Sequence, residues 1–86
     1  MYEVLLSPDA LRAYDRADSV LAGKLNRCFA LLAQEPHSHP RTRPLTGIHR
    51  GRWRFRLGDW RVIYTIDEGS RRVVVLVIAH RREAYR

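Results

Sequence analysis

Residues 2–7, YEVLLS, form a short apolar run rich in strand formers and predict a first strand. SPDALRAYDRA, 7–17, predicts a helix. Ser7 is a good N-cap there, Pro8 suits the first helical position, where its missing N–H costs nothing, and Asp9 meets the positive end of the helix dipole. Asp18 or Ser19 caps a second helix, along which Val20, Leu21, Leu25, Cys28, Phe29, Leu31 and Leu32 recur at helical spacing. That helix should stop near Gln34, because Pro36 disfavours helical geometry at Glu35. The two helices are expected to form an antiparallel hairpin.

Residues 36–50, PHSHPRTRPLTGIHR, break every period with Pro36, Pro40, Pro44 and Gly47, so an irregular surface connector is expected there. Three strands should follow. The stretch 51–57 alternates with period two, WRVIYTI (60–66) is strand-like, and RVVVLVIA (72–79) is a nearly unbroken apolar run. Such a run predicts a central strand buried on both faces. DEGS, 67–70, supplies the turn between the last two, and HRREAYR, 80–86, is too polar for a core. The order is β-α-α-β-β-β. It predicts an α+β fold in one domain over residues 1–86, with two N-terminal helices packed on one face of a mostly antiparallel four-stranded sheet. A chain this short has no room for a second core.

The polar half of the 51–57 alternation changes the picture. Gly58-Asp59 suits a two-residue type II′ hairpin turn with glycine first. That turn sets Leu57 opposite Trp60, Arg56 opposite Arg61, Phe55 opposite Val62, Arg54 opposite Ile63 and Trp53 opposite Tyr64. One face is then Trp53, Phe55, Leu57, Trp60, Val62 and Tyr64, a core. The other is Arg52, Arg54, Arg56 and Arg61 with Ile63 and Thr65. Like charges directly opposite each other destabilise a sheet. An anion between them would replace that repulsion by charge-assisted hydrogen bonds.

Charge across the whole chain points the same way. The net charge is +7, yet residues 1–40 carry four basic and five acidic side chains, while 41–86 carry twelve arginines and four acids. Fifteen of the sixteen basic residues are arginine, whose planar fork suits phosphate. A polyanion or an acidic partner is expected. No apolar run is long enough to span a bilayer, and the start MYEVLLSPDA does not read as a secretory signal. The single cysteine, Cys28, excludes an internal disulfide and fits a reducing compartment. His37 and His39 have no Cys or acidic ligand close in sequence, so neither metal nor cofactor is expected.

RWRFRLGDWRVIYTIDEGSRRVVVLVIAHRREAYR resembles the C-terminal half of a RelE-type toxin of the RelE/ParE toxin–antitoxin superfamily. The basic-aromatic strand, the GDWRVIY hairpin, the TID turn, the apolar last strand and the closing HRREAY occur in the family's order. SPDALRAYDRAD resembles its first helix, and LTGIHRGRWRFRLGDWR its lead into the sheet. The resemblance implies a cytoplasmic, metal-independent endoribonuclease that cuts mRNA in the ribosomal A site, beside 16S rRNA. It also implies a RelB-like antitoxin partner, with a toxin–antitoxin heterotetramer as one assembly. Carried over by position, the strand-face bases fall on Arg54 and Arg56, where other members often have lysine. The hairpin arginine falls on Arg61, and the one after the last strand on Arg81, with Arg82 adjacent. The tyrosine falls on Tyr85.

RNA brings its own nucleophile, the 2′-OH. In the implied chemistry this oxygen attacks the adjacent phosphate and the 5′-oxygen leaves, giving a 2′,3′-cyclic phosphate and a 5′-hydroxyl. Arg56 and Arg61 would clamp the charged transition state with Arg54 and Arg81 beside them. Arginine does not deprotonate, so a base must come from elsewhere. Tyr85, its phenolate favoured by arginines, is the candidate, with His80 as general acid or alternative base. Arg50, Arg52 and Arg82 would bind the RNA backbone. Two alternatives stay open on the same fold: a ParE-type toxin directed at DNA gyrase, and an inactive nucleic-acid-binding module.

Overall fold

The computed structural model describes residues 1–81. Its elements are β1 (Glu3–Leu6), α1 (Pro8–Arg16), α2 (Ser19–Gln34), β2 (Thr42–Pro44), a 3-10 turn (Gly47–His49), β3 (Trp53–Leu57), β4 (Trp60–Asp67) and β5 (Arg72–His80). Both helix starts follow from the residues named above. The Ser7 hydroxyl accepts from the Ala10 amide at 3.1 Å, and the Asp18 carboxylate from the Leu21 amide at 2.8 Å. Pro8 opens α1, and α2 ends at Gln34.

The sheet has five strands, not four, in the order β1-β5-β4-β3-β2. β1 runs parallel to β5, and every other pairing is antiparallel. The added strand is β2, inside the segment expected to be irregular. Its three residues pair with β3 at Thr42–Phe55, Arg43–Arg54 and Pro44–Trp53. Pro44 has no amide to give, and a sheet edge is where a strand proline is tolerated. The long apolar strand β5 is second in the order, next to β1. It buries Val73, Val75 and Ile78 on one side, while Val74 and Val77 stay half-exposed. It is therefore covered fully on one face only.

The core lies between the helices and one face of the sheet. Leu25, Cys28 and Leu32 of α2 and Ala10 of α1 meet Phe55, Leu57, Val62, Tyr64, Val73, Val75 and Ile78, all almost wholly buried. Val20 and Leu31, though on the periodic list, stay exposed. Tyr64 settles its buried hydroxyl by donating to the Pro36 carbonyl at 2.7 Å. Burial pushes the Cys28 thiol up to about 12, so it stays neutral and behaves as a small apolar side chain.

One irregularity decides what faces where. β4 and β5 pair as Tyr64–Val75 and then Ile63–Val77, so Leu76 is an extra residue, a β-bulge. Ser7 holds it in place. Its amide donates to the Val75 carbonyl at 2.8 Å and its hydroxyl to the Leu76 carbonyl at 2.8 Å.

Candidate nucleic-acid interface

The β3–β4 hairpin has the expected register at all five pairs, from Trp53–Tyr64 to Leu57–Trp60. Gly58 has φ of 62° and Asp59 has no positive φ, which is the II′ pattern. The sheet face away from the helices therefore carries two rows of like charge. Arg56 lies opposite Arg61, and one step along the strand Arg43 lies opposite Arg54. Behind them in the same rows come Ala79 and Ile63–Val77. Ile63 is buried although it belongs to this face and not to the helix-side core. The long stems of neighbouring arginines cover such apolar surface while their heads stay wet.

The arginines are not equivalent. Arg43, Arg52 and Arg56 are exposed. Arg54 is half-buried, and its Nε is shielded from water without any hydrogen-bond partner. An unmet buried donor is costly, and an acceptor delivered by a ligand would remove the cost. Arg61 folds back on the hairpin turn, where its Nη1 donates to the carbonyls of Gly58 and Trp60, both at 3.0 Å. Among the described residues, none of Arg43, Arg54, Arg56 and Arg61 has a carboxylate partner.

Arg81 closes the site beyond β5. Its amide donates to the Asp59 carbonyl at 2.7 Å, and its Nη1 lies 3.9 Å from the Asp59 carboxylate. The turn thus engages both Arg61 and Arg81. His80 stands apart from them. It pairs with Trp60 and meets that ring edge-on, centroids 5.9 Å apart, on the helix-facing side. The bulge is the reason. Were Leu76 to take its turn in a regular ladder, strand alternation would put His80 on the face of Arg61; the bulge reverses every side chain after it. Arg50 and Arg52 lie in and just after the β2–β3 loop, both exposed. Tyr85 and Arg82 lie outside the described residues.

Two contributors escape the sequence reading. Arg43 joins the face only through β2, and a three-residue strand that ends in proline carries no period to reveal it. Asp59 reads as a turn residue, and its hold on Arg81 requires the end of β5 to return beside the turn.

Comparison with known proteins agrees with the fold. Residues 4–85 match the model of the ParE toxin family of type II toxin–antitoxin systems. The chain is 34% identical to Toxin RelE of Mycobacterium tuberculosis, over 99% of its own length and 87% of that protein's. The RelBE2 toxin–antitoxin complex of the same organism contains a chain of the same fold, with a TM-score of 0.79 at 29% identity, covering 92% of this chain and 96% of that one. The archaeal RelE–RelB complex of Pyrococcus horikoshii OT3 gives a TM-score of 0.78 at 26% identity, covering 96% and 98%. The fold shared with these chains is a two-layer α+β toxin fold. The chain belongs to the RelE/ParE family of type II toxin–antitoxin toxins.

Proposed function

We propose that this toxin is a ribosome-dependent endoribonuclease that cuts mRNA in the ribosomal A site, beside 16S rRNA, and so stops translation in the cytoplasm. The observation that supports this reading is the pairing of Arg56 with Arg61 beside Arg43 with Arg54, with no carboxylate among the described residues to neutralise them. A face that keeps four cations together against their repulsion is built for phosphate.

The chemistry follows from the groups present. The 2′-OH attacks the neighbouring phosphate, a P–O bond to the 5′-oxygen breaks, and a 2′,3′-cyclic phosphate and a 5′-hydroxyl result. Negative charge grows on the phosphate oxygens. Arg61 leaves two carbonyl acceptors for a charged one, which makes the stronger bond. The unmet Nε of Arg54 gains an acceptor, and Arg56 and Arg81 complete the ring of donors. Tyr85 is assigned the proton from the 2′-OH, as the family resemblance implies, since arginine does not deprotonate. His80, turned towards Trp60, takes no part in this scheme, and the leaving 5′-oxygen takes its proton from water. No step calls for a metal or cofactor. A RelB-like antitoxin is the expected partner, as in the RelB–RelE complexes that share the fold, with a heterotetramer as one assembly.

A second reading has its own support, because the matched family model is described as a ParE toxin. A ParE-type toxin would act on DNA gyrase and cut no RNA. Primer extension on ribosome-bound mRNA, run beside a gyrase supercoiling assay, separates the two. Cleavage with unchanged supercoiling is expected, and Tyr85→Phe should abolish most of it while ribosome binding persists. Inhibited supercoiling without cleavage would replace this reading by the gyrase one. Neither activity, with RNA binding retained, would leave a binding module.

A further inference from the structure

Between Glu35 and Asp59 the chain has no acidic residue, while it carries Arg41, Arg43, Arg50, Arg52, Arg54 and Arg56. The middle of this segment is the loop between β2 and β3. It is closed at its base by the Leu45 amide, which donates to the Arg52 carbonyl at 2.8 Å. Its tip is the 3-10 turn Gly47–His49. Ile48, at the centre of that turn, is 94% exposed, more than any other large apolar residue among those described. The glycines on either side of Ile48, Gly47 and Gly51, have φ of 66° and 91°. A Cβ at either would meet nothing within 4 Å, so their role is to shape the backbone, and the loop stands clear of the body there. An aliphatic side chain placed this way adds nothing to the core.

We propose that the β2–β3 loop, residues 45–52, is an RNA-contacting finger, in which Ile48 packs against an unstacked base of folded RNA while Arg50 and Arg52 hold the flanking phosphates. The inference rests on the cleavage reading above and extends it to a second contact outside the reacting phosphate. The finger continues the arginine face. Arg52 and Arg56 are four residues apart, about 13 Å along a strand, so the loop reaches past the site by more than one arginine spacing. The occupant is argued from charge. No carboxylate lies anywhere in the segment to receive a basic partner, and three arginines of this hairpin, Arg43, Arg50 and Arg52, are exposed around the tip. A polyanion with apolar faces fits that combination, and every base offers such a face. Apolar wedges flanked by cations serve the same end in other nucleic-acid binders.

The test uses the full chain, with Ile48→Asp and Ile48→Val beside wild type. Ile48 touches too little for either change to unfold the protein, which melting curves check directly. Sedimentation with purified ribosomes reads binding, and cleavage of ribosome-bound mRNA reads KM and kcat separately. Ile48→Asp should weaken ribosome binding and raise KM about tenfold, within the range of a lost stacking contact, with kcat within about twofold of wild type. Ile48→Val should behave as wild type. Unchanged binding and KM in a folded Ile48→Asp protein would overturn the finger. So would normal ribosome binding with loss of antitoxin binding, which would assign the tip to a protein partner. A wild-type chain that binds ribosomes without cutting mRNA would overturn the cleavage reading instead, and its sedimentation beside Ile48→Asp would still decide the finger.

Discussion

The two ends of the sheet treat positive charge in opposite ways. At the end where β1 begins and β4 turns into β5, cations are paired. Arg72 bonds Glu3 at 3.1 Å, His37 meets Glu68 at 2.5 Å, and Arg71 lies over the Tyr2 ring, 5.2 Å from its centroid. Tyr2 donates to Glu68 at 2.8 Å, which holds that carboxyl below its usual range with help from His37 and raises the Tyr2 hydroxyl. At the other end, Arg43, Arg54, Arg56 and Arg61 face each other with no carboxylate partner among the described residues. The contrast separates two uses of one residue type. The paired arginines tie β5 and the turn before it to the start of the chain, whereas those of the hairpin face have no carboxylate partner among the described residues.

The comparison breaks most severely if the hairpin is in the wrong register, and that is tested on its buried side. Phe55 is 1% exposed and alternates with Arg54 and Arg56. Phe55→Ala should cost about 3–5 kcal/mol, enough to threaten a domain of this size. A cooperative melt near the wild-type temperature would mean that β3 presents its other face to the helices.

Next comes the unpaired end itself. Arg61→Ala should lower mRNA cleavage at least about a hundredfold, the scale of removing one transition-state donor. Its melting temperature should stay near wild type, since it gives up turn contacts but relieves repulsion with Arg56. Wild-type cleavage by the folded variant would remove Arg61 from the clamp.

At the paired end the expected effects are smaller. Arg72→Ala breaks an exposed pair with Glu3 and should cost no more than about 1 kcal/mol, with cleavage unchanged. A hundredfold loss of cleavage there would erase the distinction between the two ends.

The smallest effect is one of pH. Glu68 and Asp67 both have depressed carboxyl values, the first through Tyr2 and His37, the second through hydrogen bonds from Ser70. A group depressed in the folded state adds stability that is complete above its unfolded value of about 4 and is lost as pH falls through the folded value. Melting temperature should therefore drop with acid below about pH 4, and Glu68→Gln should flatten part of that drop. An unchanged slope in Glu68→Gln would show that the Tyr2–Glu68–His37 cluster does not persist in solution.

Much of the fold was legible because its signals are local. Ser7-Pro8 and Asp18 cap their helices as side-chain chemistry dictates, and Gly58-Asp59 centres an alternation whose register follows by counting. What stayed hidden was set by partners distant in sequence. β2 is a strand only because β3 offers it a ladder, and the parallel β1–β5 pairing joins residues about seventy positions apart. Of the candidate site, Arg54, Arg56 and Arg61 could be placed on one face from the hairpin alone. The side taken by His80 could not, because a one-residue bulge leaves no mark in an apolar run as uniform as RVVVLVIA. The folded-back conformer of Arg61 depends on carbonyl positions that composition does not encode.

Leu76 works as a phase shifter for everything that follows it. Up to Val75 odd positions of β5 point to the helices, and after the bulge even ones do, so Ile78 enters the core and position 81 inherits the parity of Ala79 on the arginine side. The residue that secures this shift, Ser7, is 69 positions away from it in the chain and also starts the first helix. Deleting Leu76 would absorb the bulge and leave His80 opposite Trp60, whereas forcing the present sequence into a regular ladder would exchange the allegiance of His80 and Arg81, turning an imidazole to the arginine face in place of a permanent cation. The identity of the group that the last strand presents on the arginine face is thus written partly in the spacing of that strand and partly in a hydroxyl near the amino terminus, and a redesign of either must carry the other with it.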